Sequence, residues 1–235
     1  MKRTVLQPFD WFLIAGILVT TMLYSILVAD IRLSVHSADW WITSICSIVN
    51  ILCVVLSAKG SRLNFLFGII YNILYAIYCI RTGHLGNAAV YGVFFLAMQF
   101  VGYAQWRKIG TRGDGEQVAA RRLSVRGILS VSGISVAAVA AVYFILRALG
   151  GNDVVFDALV TVVCIIAQVL LTFAYVEQWY LWILVNILTI VMWAISSFRG
   201  HGTGYDAIMV INYSFTLINS VNGLRVWYKL SRQTI

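Results

Sequence analysis

The sequence predicts an all-α integral membrane protein with eight transmembrane helices. They are arranged as two parallel three-helix bundles joined by a linking helix, with an extra helix on the N-terminal side. Three observations predict the membrane helices, and an internal repeat predicts their arrangement. Of 235 residues, 61% are apolar and only 11% charged, where a soluble domain has about 45–50% and 25%. The apolar residues fall in blocks of about 20, the length of helix that crosses roughly 30 Å of hydrocarbon. The blocks also lack the polar–apolar alternation that the strands of an outer-membrane barrel require.

The first block, Phe9–Ala29, follows Lys2, Arg3 and the single proline, Pro8. No small-residue cleavage pattern comes after it, since the chain continues Val-Ala-Asp-Ile-Arg-Leu, so it is read as a retained helix and not a signal peptide. Trp40–Ser57, Leu63–Ile80 and Asn87–Trp106 are the second to fourth blocks. The longest polar stretch, Arg107–Arg126, separates them from the fifth, Ser124–Leu149. That block is rich in Ser, Gly and Ala and has no amide or carboxylate, which suits a spacer and packing helix. Val154–Tyr175, Trp179–Phe198 and Tyr205–Trp227 complete the set. The organisation expected is residues 1–38 for the extra helix, 39–108 for the first bundle, 109–152 for the basic loop and linking helix, and 153–235 for the second bundle and tail.

Charge sets the orientation. With the N-terminus inside, the cytoplasmic segments hold Lys2, Arg3, Lys59, Arg62, Arg107, Lys108, Arg112, Arg121, Arg122, Arg126, Arg225, Lys229 and Arg232, while the outer ones hold Arg32, Arg81, Arg147 and Arg199. Thirteen against four places both termini in the cytoplasm. The net charge of +8 is then accounted for by topology and anionic lipid, with no nucleic-acid partner.

Chemistry-bearing motifs are scarce. Cys46, Cys53, Cys79 and Cys164 all fall inside apolar blocks with no C-x-x-C pair, so neither a zinc site nor a disulfide framework is expected. His36, His84 and His201 are scattered through predicted outer loops. There is no H-E-x-x-H, P-loop or G-x-S-x-G motif, hence no cofactor site and no enzyme.

An internal repeat organises the rest. At an offset of 114, Asn64-Phe65-Leu-Phe-Gly68-Ile-Ile-Tyr-Asn72 lies over Gln178-Trp179-Tyr-Leu-Trp182-Ile-Leu-Val-Asn186. At an offset of 121, Gly102-Tyr-Ala-Gln-Trp106 lies over Gly223-Leu-Arg-Val-Trp227. Blocks two to four thus resemble blocks six to eight. The single block between them restores the direction of travel, giving two like-oriented units, a known transporter plan.

Seven amides lie well inside the blocks: Asn50, Asn72, Gln99, Gln168, Asn186, Asn212 and Asn219. Any one of them can serve as interhelical glue, worth about 0.6 kcal/mol. Together, with two at matched repeat positions, they favour a polar cavity. Trp179, Trp182 and Asn186 are spaced three and four apart and share one helix face, where indoles and an amide can stack on a flat ring and bond its substituents. Trp179 equally suits an interfacial aromatic belt. Gly68, Gly102 and Gly223 fit close helix packing. No carboxylate is predicted at mid-membrane, since Asp157 and Asp206 are terminal, which argues for facilitated diffusion and for aromatic faces as partners of any cationic substrate.

The W-x-x-W-x-x-x-N segment Trp179–Asn186, its counterpart Asn64–Asn72 and the ending Val221-Asn222-Gly-Leu-Arg225-Val-Trp227 resemble the PnuC family of bacterial nicotinamide riboside transporters over about Trp40 to Trp227. The resemblance implies a SWEET-like fold, a homo-trimer in the bacterial inner membrane, and facilitated diffusion of nicotinamide riboside by alternating access, with later cytoplasmic phosphorylation trapping it. Carried over by motif, Trp179, Trp182 and Asn186 bind substrate from the second bundle, and Asn64, Phe65, Gly68 and Asn72 line the first. Gln99 resembles a polar family position, and Asn212 and Asn219 follow from depth and spacing. Thiamine, riboflavin and deoxynucleosides are the alternative cargoes. A non-transporting receptor or assembly protein is the alternative class.

Overall fold

The computed structural model describes residues 6–27, 38–81, 85–110, 117–150, 154–196 and 204–232. The three histidines and the acidic centre of the long loop lie outside the described residues. The regular elements of the described residues are helices: α1 (Pro8–Leu27), α2 (Ala38–Ala58), α3 (Leu63–Arg81), α4 (Leu85–Ala89), a π-helical turn (Val90–Phe95), α5 (Leu96–Ile109), α6 (Val125–Ala148), α7 (Val154–Thr172), α8 (Gln178–Ser196) and α9 (Gly204–Arg232). α4, the π turn and α5 run on without a break. In hydrocarbon every backbone polar group needs an internal partner, which a helix supplies along its whole length. Among the described residues, five helical stretches are long and apolar enough to cross a membrane: Leu63–Arg81, Asn87–Ile109, Val125–Ala148, Val154–Thr172 and Gln178–Ile195. Pro8–Leu23 and Ser44–Ala58 are shorter apolar stretches. Exposed Ile70, Ile77, Phe100, Leu184 and Val191 give these helices apolar outer faces.

The packing is reciprocal. α2 lies along α3 and α8 along α9; between the two groups, α9 packs on α2 and α5 packs on α7. The last helix of each group therefore rests on the first helix of the other. α1 fits against α2 and α9. α6 lies along α7 and buries none of its residues within the chain.

The repeat seen in the sequence returns in the hydrogen bonds. α2 ends in a turn where Gly60 N–H donates to Ser57 O and Ser61 N–H to Leu56 O, at 2.9 and 3.0 Å. α7 ends the same way, Ala174 N–H donating to Leu171 O and Tyr175 N–H to Leu170 O, both at 2.9 Å. These are Schellman caps, which need a left-handed residue: Gly60 has φ +67° and Ala174, unusually for a residue with a side chain, +59°. The last helices reach across to the opposite cap. Trp106 Nε1–H donates to Leu171 O and Trp227 Nε1–H to Ser57 O, each at 3.0 Å. Both carbonyls thus use their two lone pairs, one on a backbone N–H and one on an indole from the other repeat. Both indoles are fully buried, 5.5 Å apart between ring centroids. Phe65 meets Trp106 edge-on at 4.7 Å, and its repeat equivalent Trp179 meets Trp227 at 6.0 Å. Gly102 and Gly223 leave room for these rings: a Cβ on Gly223 would stand 2.6 Å from the Trp179 indole, and the Phe65 ring fills the corresponding space at Gly102.

A strap covers this plug. Val118 N–H donates to Gly60 O at 2.9 Å, and Arg121 N–H to Ala174 O at 2.8 Å. The long loop therefore bonds the left-handed residue of both caps, and Val118 and Ala120 are buried against the two tryptophans' core.

One charged pair was not anticipated from the sequence. Asp10 in the first turn of α1 pairs with Lys59 at the end of α2 at 2.6 Å, with both side chains nearly out of solvent. Asp10 also accepts the Gln7 backbone N–H at 2.6 Å, so the carboxylate caps α1 and ties it to α2.

Candidate functional site

Above the plug lies a cavity of about 230 Å³ between the two groups of helices. Amides, aromatic rings and small hydroxyls line it, with no Lys, Arg, His, Asp or Glu among its lining residues.

Of the residues expected from the sequence, Gly68, Asn72, Gln99, Trp179, Trp182, Asn186 and Asn219 come together on this cavity. Asn64, Phe65 and Asn212 are not among the lining residues. Asn64 sits in the first turn of α3, where its Nδ2–H donates to Ser61 O at 2.6 Å. Phe65 belongs to the plug. Trp179 is buried and contributes to both plug and cavity, so it is no interfacial belt residue.

The matched amides Asn72 and Asn186 each donate to the carbonyl four residues back, Gly68 O and Trp182 O, both at 2.8 Å. Their surroundings then differ. Asn186 also donates to Ser220 Oγ at 3.1 Å and accepts from Thr216 Oγ1 at 2.7 Å. Asn72 has Gly68 beneath it, and the Gln99 side chain occupies the space that a side chain at 68 would need. Gln99 Nε2–H donates to Phe95 O at 3.2 Å. Asn219 Nδ2–H reaches across to Val54 O at 3.0 Å. Its Oδ1, Gln168 Nε2 and Trp179 Nε1 are buried without a hydrogen-bond partner among the described residues, three unpaired polar atoms on residues that line the cavity.

Tyrosines form the remaining wall. Tyr71, Tyr91 and Tyr213 line the cavity, and Tyr91 packs edge-on against Tyr75 at 4.5 Å and Tyr71 at 6.1 Å. Tyr91 and Phe95 are carried by the π turn, a feature that often marks functional sites. The turn also reconciles the repeat. Beyond it the offset is 121, as for Trp106 and Trp227; at its start the offset is 122, which pairs Tyr91 with Tyr213.

Comparison with known proteins settles what kind of molecule has this site. The model of the nicotinamide mononucleotide transporter family matches residues 40–229. The chain is 38% identical over 202 residues to the nicotinamide riboside transporter PnuC of Neisseria mucosa, covering 85% of this chain and 76% of that one. It is 35% identical over 211 residues to PnuC of Haemophilus influenzae, covering 88% of each. The chain belongs to the PnuC family. A crystal structure titled as that of the vitamin B3 transporter PnuC superposes with a TM-score of 0.75 at 33% identity, over 97% of this chain and 94% of that one. PnuC proteins are transporters.

For a PnuC protein, the indole pair and the two motif amides were readable from sequence. Thr216, Ser220, Tyr91 and Gln168 line the cavity without belonging to that motif. Thr216 and Ser220 come after Asn212 at helical spacing of four, and that periodicity is the signal that would have found them.

Proposed function

We propose that this chain carries nicotinamide riboside across the bacterial inner membrane by facilitated diffusion. The observation that carries the reading is a cavity lined by amides and aromatic rings and by no ionisable cation or carboxylate. The family description names the mononucleotide, whereas the curated relatives are named for the riboside. The cavity favours the riboside, because a phosphate dianion at membrane depth would need Arg or Lys partners that the lining does not offer. A pyridinium ring needs no carboxylate: the faces of Trp182, Tyr71 and Tyr91 attract a cation directly.

The transport cycle rests on the same arrangement. The helix groups 39–108 and 153–235 act as two like-oriented bundles that rock about the cavity, with 109–152 as loop and linking helix and 1–38 as an accessory helix. Both termini lie in the cytoplasm by the distribution of Lys and Arg. The cargo is trapped by later phosphorylation, and the protein works as a homo-trimer without a cofactor. Uptake of labelled nicotinamide riboside into proteoliposomes tests this. Wild type should equilibrate the label with no sodium or proton gradient. Trp182→Ala and Asn186→Ala should abolish uptake while still eluting as folded protein. Uptake of thiamine or riboflavin in its place would reject the cargo.

A further inference from the structure

We propose that Thr216 and Ser220 are positioning residues that fix the Asn186 carboxamide as an acceptor toward the cavity, so that the site selects a neutral carboxamide over a carboxylate on the substrate ring. This rests on the riboside reading and names what its ring end must carry.

The proton inventory around Asn186 leaves one arrangement. Ser220 Oγ–H donates to Thr216 O at 2.9 Å, so the Ser220 oxygen faces Asn186 as an acceptor. Trp182 O is also only an acceptor. Both therefore require N–H from Asn186, and the Nδ2 end must lie on their side. The oxygen end then lies toward Thr216, which supplies the matching donor at 2.7 Å. Thr216 Oγ1 also stands 2.9 Å from Tyr213 O, but only its bond to Asn186 satisfies the amide oxygen. Both Asn186 protons are thus spent inside the protein, and what remains for a ligand is a lone pair on Oδ1.

The repeat equivalent is built differently. At an offset of 121, Gln99 stands where Ser220 does, and Phe95 where Thr216 does. Among the described residues Asn72 is bonded to Gly68 O alone, which leaves it one N–H and its oxygen. Asn72 therefore can donate and accept, while Asn186 can only accept. A symmetric scaffold holds two chemically unequal poles, and they give a bound substrate a direction. Trp182 lies one helical turn before Asn186 on the same face. A ring stacked on that indole places its substituent against the Asn186 oxygen. A carboxamide N–H completes the bond. A carboxylate meets lone pair with lone pair, and no cation lines the cavity to offset it.

The test is a calorimetric titration of the full-length protein with nicotinamide riboside and with its carboxylate counterpart, nicotinic acid riboside. Wild type should prefer the amide at least about tenfold, the cost of leaving a buried acceptor unpaired. Thr216→Val removes the donor that holds the oxygen end and leaves the carboxamide held through Nδ2 alone, so its oxygen is no longer fixed toward the ligand and the preference should contract about fivefold or more. Thr216→Ser keeps the hydroxyl and should retain the preference. Ser220→Ala carries the same test by an independent route if the valine variant fails to fold. Equal wild-type affinities, or variants that weaken both ligands in step with an unchanged ratio, would overturn the proposal while leaving riboside transport intact. Absence of any riboside binding by wild type would remove the transport reading, and this inference with it.

Discussion

Replacing Trp227 by Phe tests the crossed plug. The substitution keeps an aromatic ring but deletes the Nε1–H that donates to Ser57 O at 3.0 Å in a fully buried site. Ser57 O keeps its bond from Gly60 N–H, so the carbonyl is not orphaned and the lost bond contributes about 1 kcal/mol. The smaller ring leaves a gap between Trp106 and Trp179, which adds about 1–2 kcal/mol. At roughly 2–4 °C per kcal/mol for a chain of this size, the melting temperature should fall by about 4–12 °C. Size-exclusion recovery of detergent-solubilised protein after stepped heating measures it without relying on the indole that has been removed. Trp106→Phe should cost a similar amount, since Leu171 O likewise keeps its bond from Ala174 N–H. The double variant should cost less than the two single losses together, because the two rings are in contact. Shifts below about 1 °C, or one variant several times worse than the other, would refute the reciprocal account.

The Asp10–Lys59 pair gives a second expectation: Asp10→Asn strands a buried ammonium and should destabilise the protein by about 3–5 kcal/mol, whereas the paired change Asp10→Leu with Lys59→Met should recover most of it, both read in the same heating assay. At Gly68 an added methyl meets the Gln99 amide, so Gly68→Ala should weaken riboside binding roughly five- to a hundredfold, the equivalent of about 1–3 kcal/mol of overpacking, with little change in expression or elution.

Much of this architecture is legible because the membrane narrows the choices. Blocks of apolar residues at bilayer length admit little but helices, and the predicted spans and the observed ones agree to within a few residues from Leu63 to Trp106 and from Val154 to Phe198. The repeat is visible because its marks are large or rare residues: Asn72 over Asn186, Trp106 over Trp227. The offset of 114 extends to a pair outside the matched segments, the left-handed Gly60 and Ala174, whose shared role is a backbone angle and leaves no common side chain to notice. Thr216 and Ser220 are as hard to foresee, since in apolar helices small hydroxyls usually bond back to their own backbone, and only the tertiary fold shows them turned on Asn186. The π turn is invisible to periodicity because one inserted residue only rotates the remainder of the helix. Asp10 and Lys59 are 49 positions apart in loops and helix ends, and nothing local couples them.

The strap acts as a ruler. The bonds it donates to the two caps leave from residues only three positions apart, Val118 and Arg121. Three residues of extended backbone reach no further than about 10–11 Å. While both bonds hold, the two helix corners at Gly60 and Ala174 cannot part by more than that tether allows. A residue inserted between 118 and 121 would lengthen the tether, whereas one inserted ahead of Gln117 would leave its length as it is.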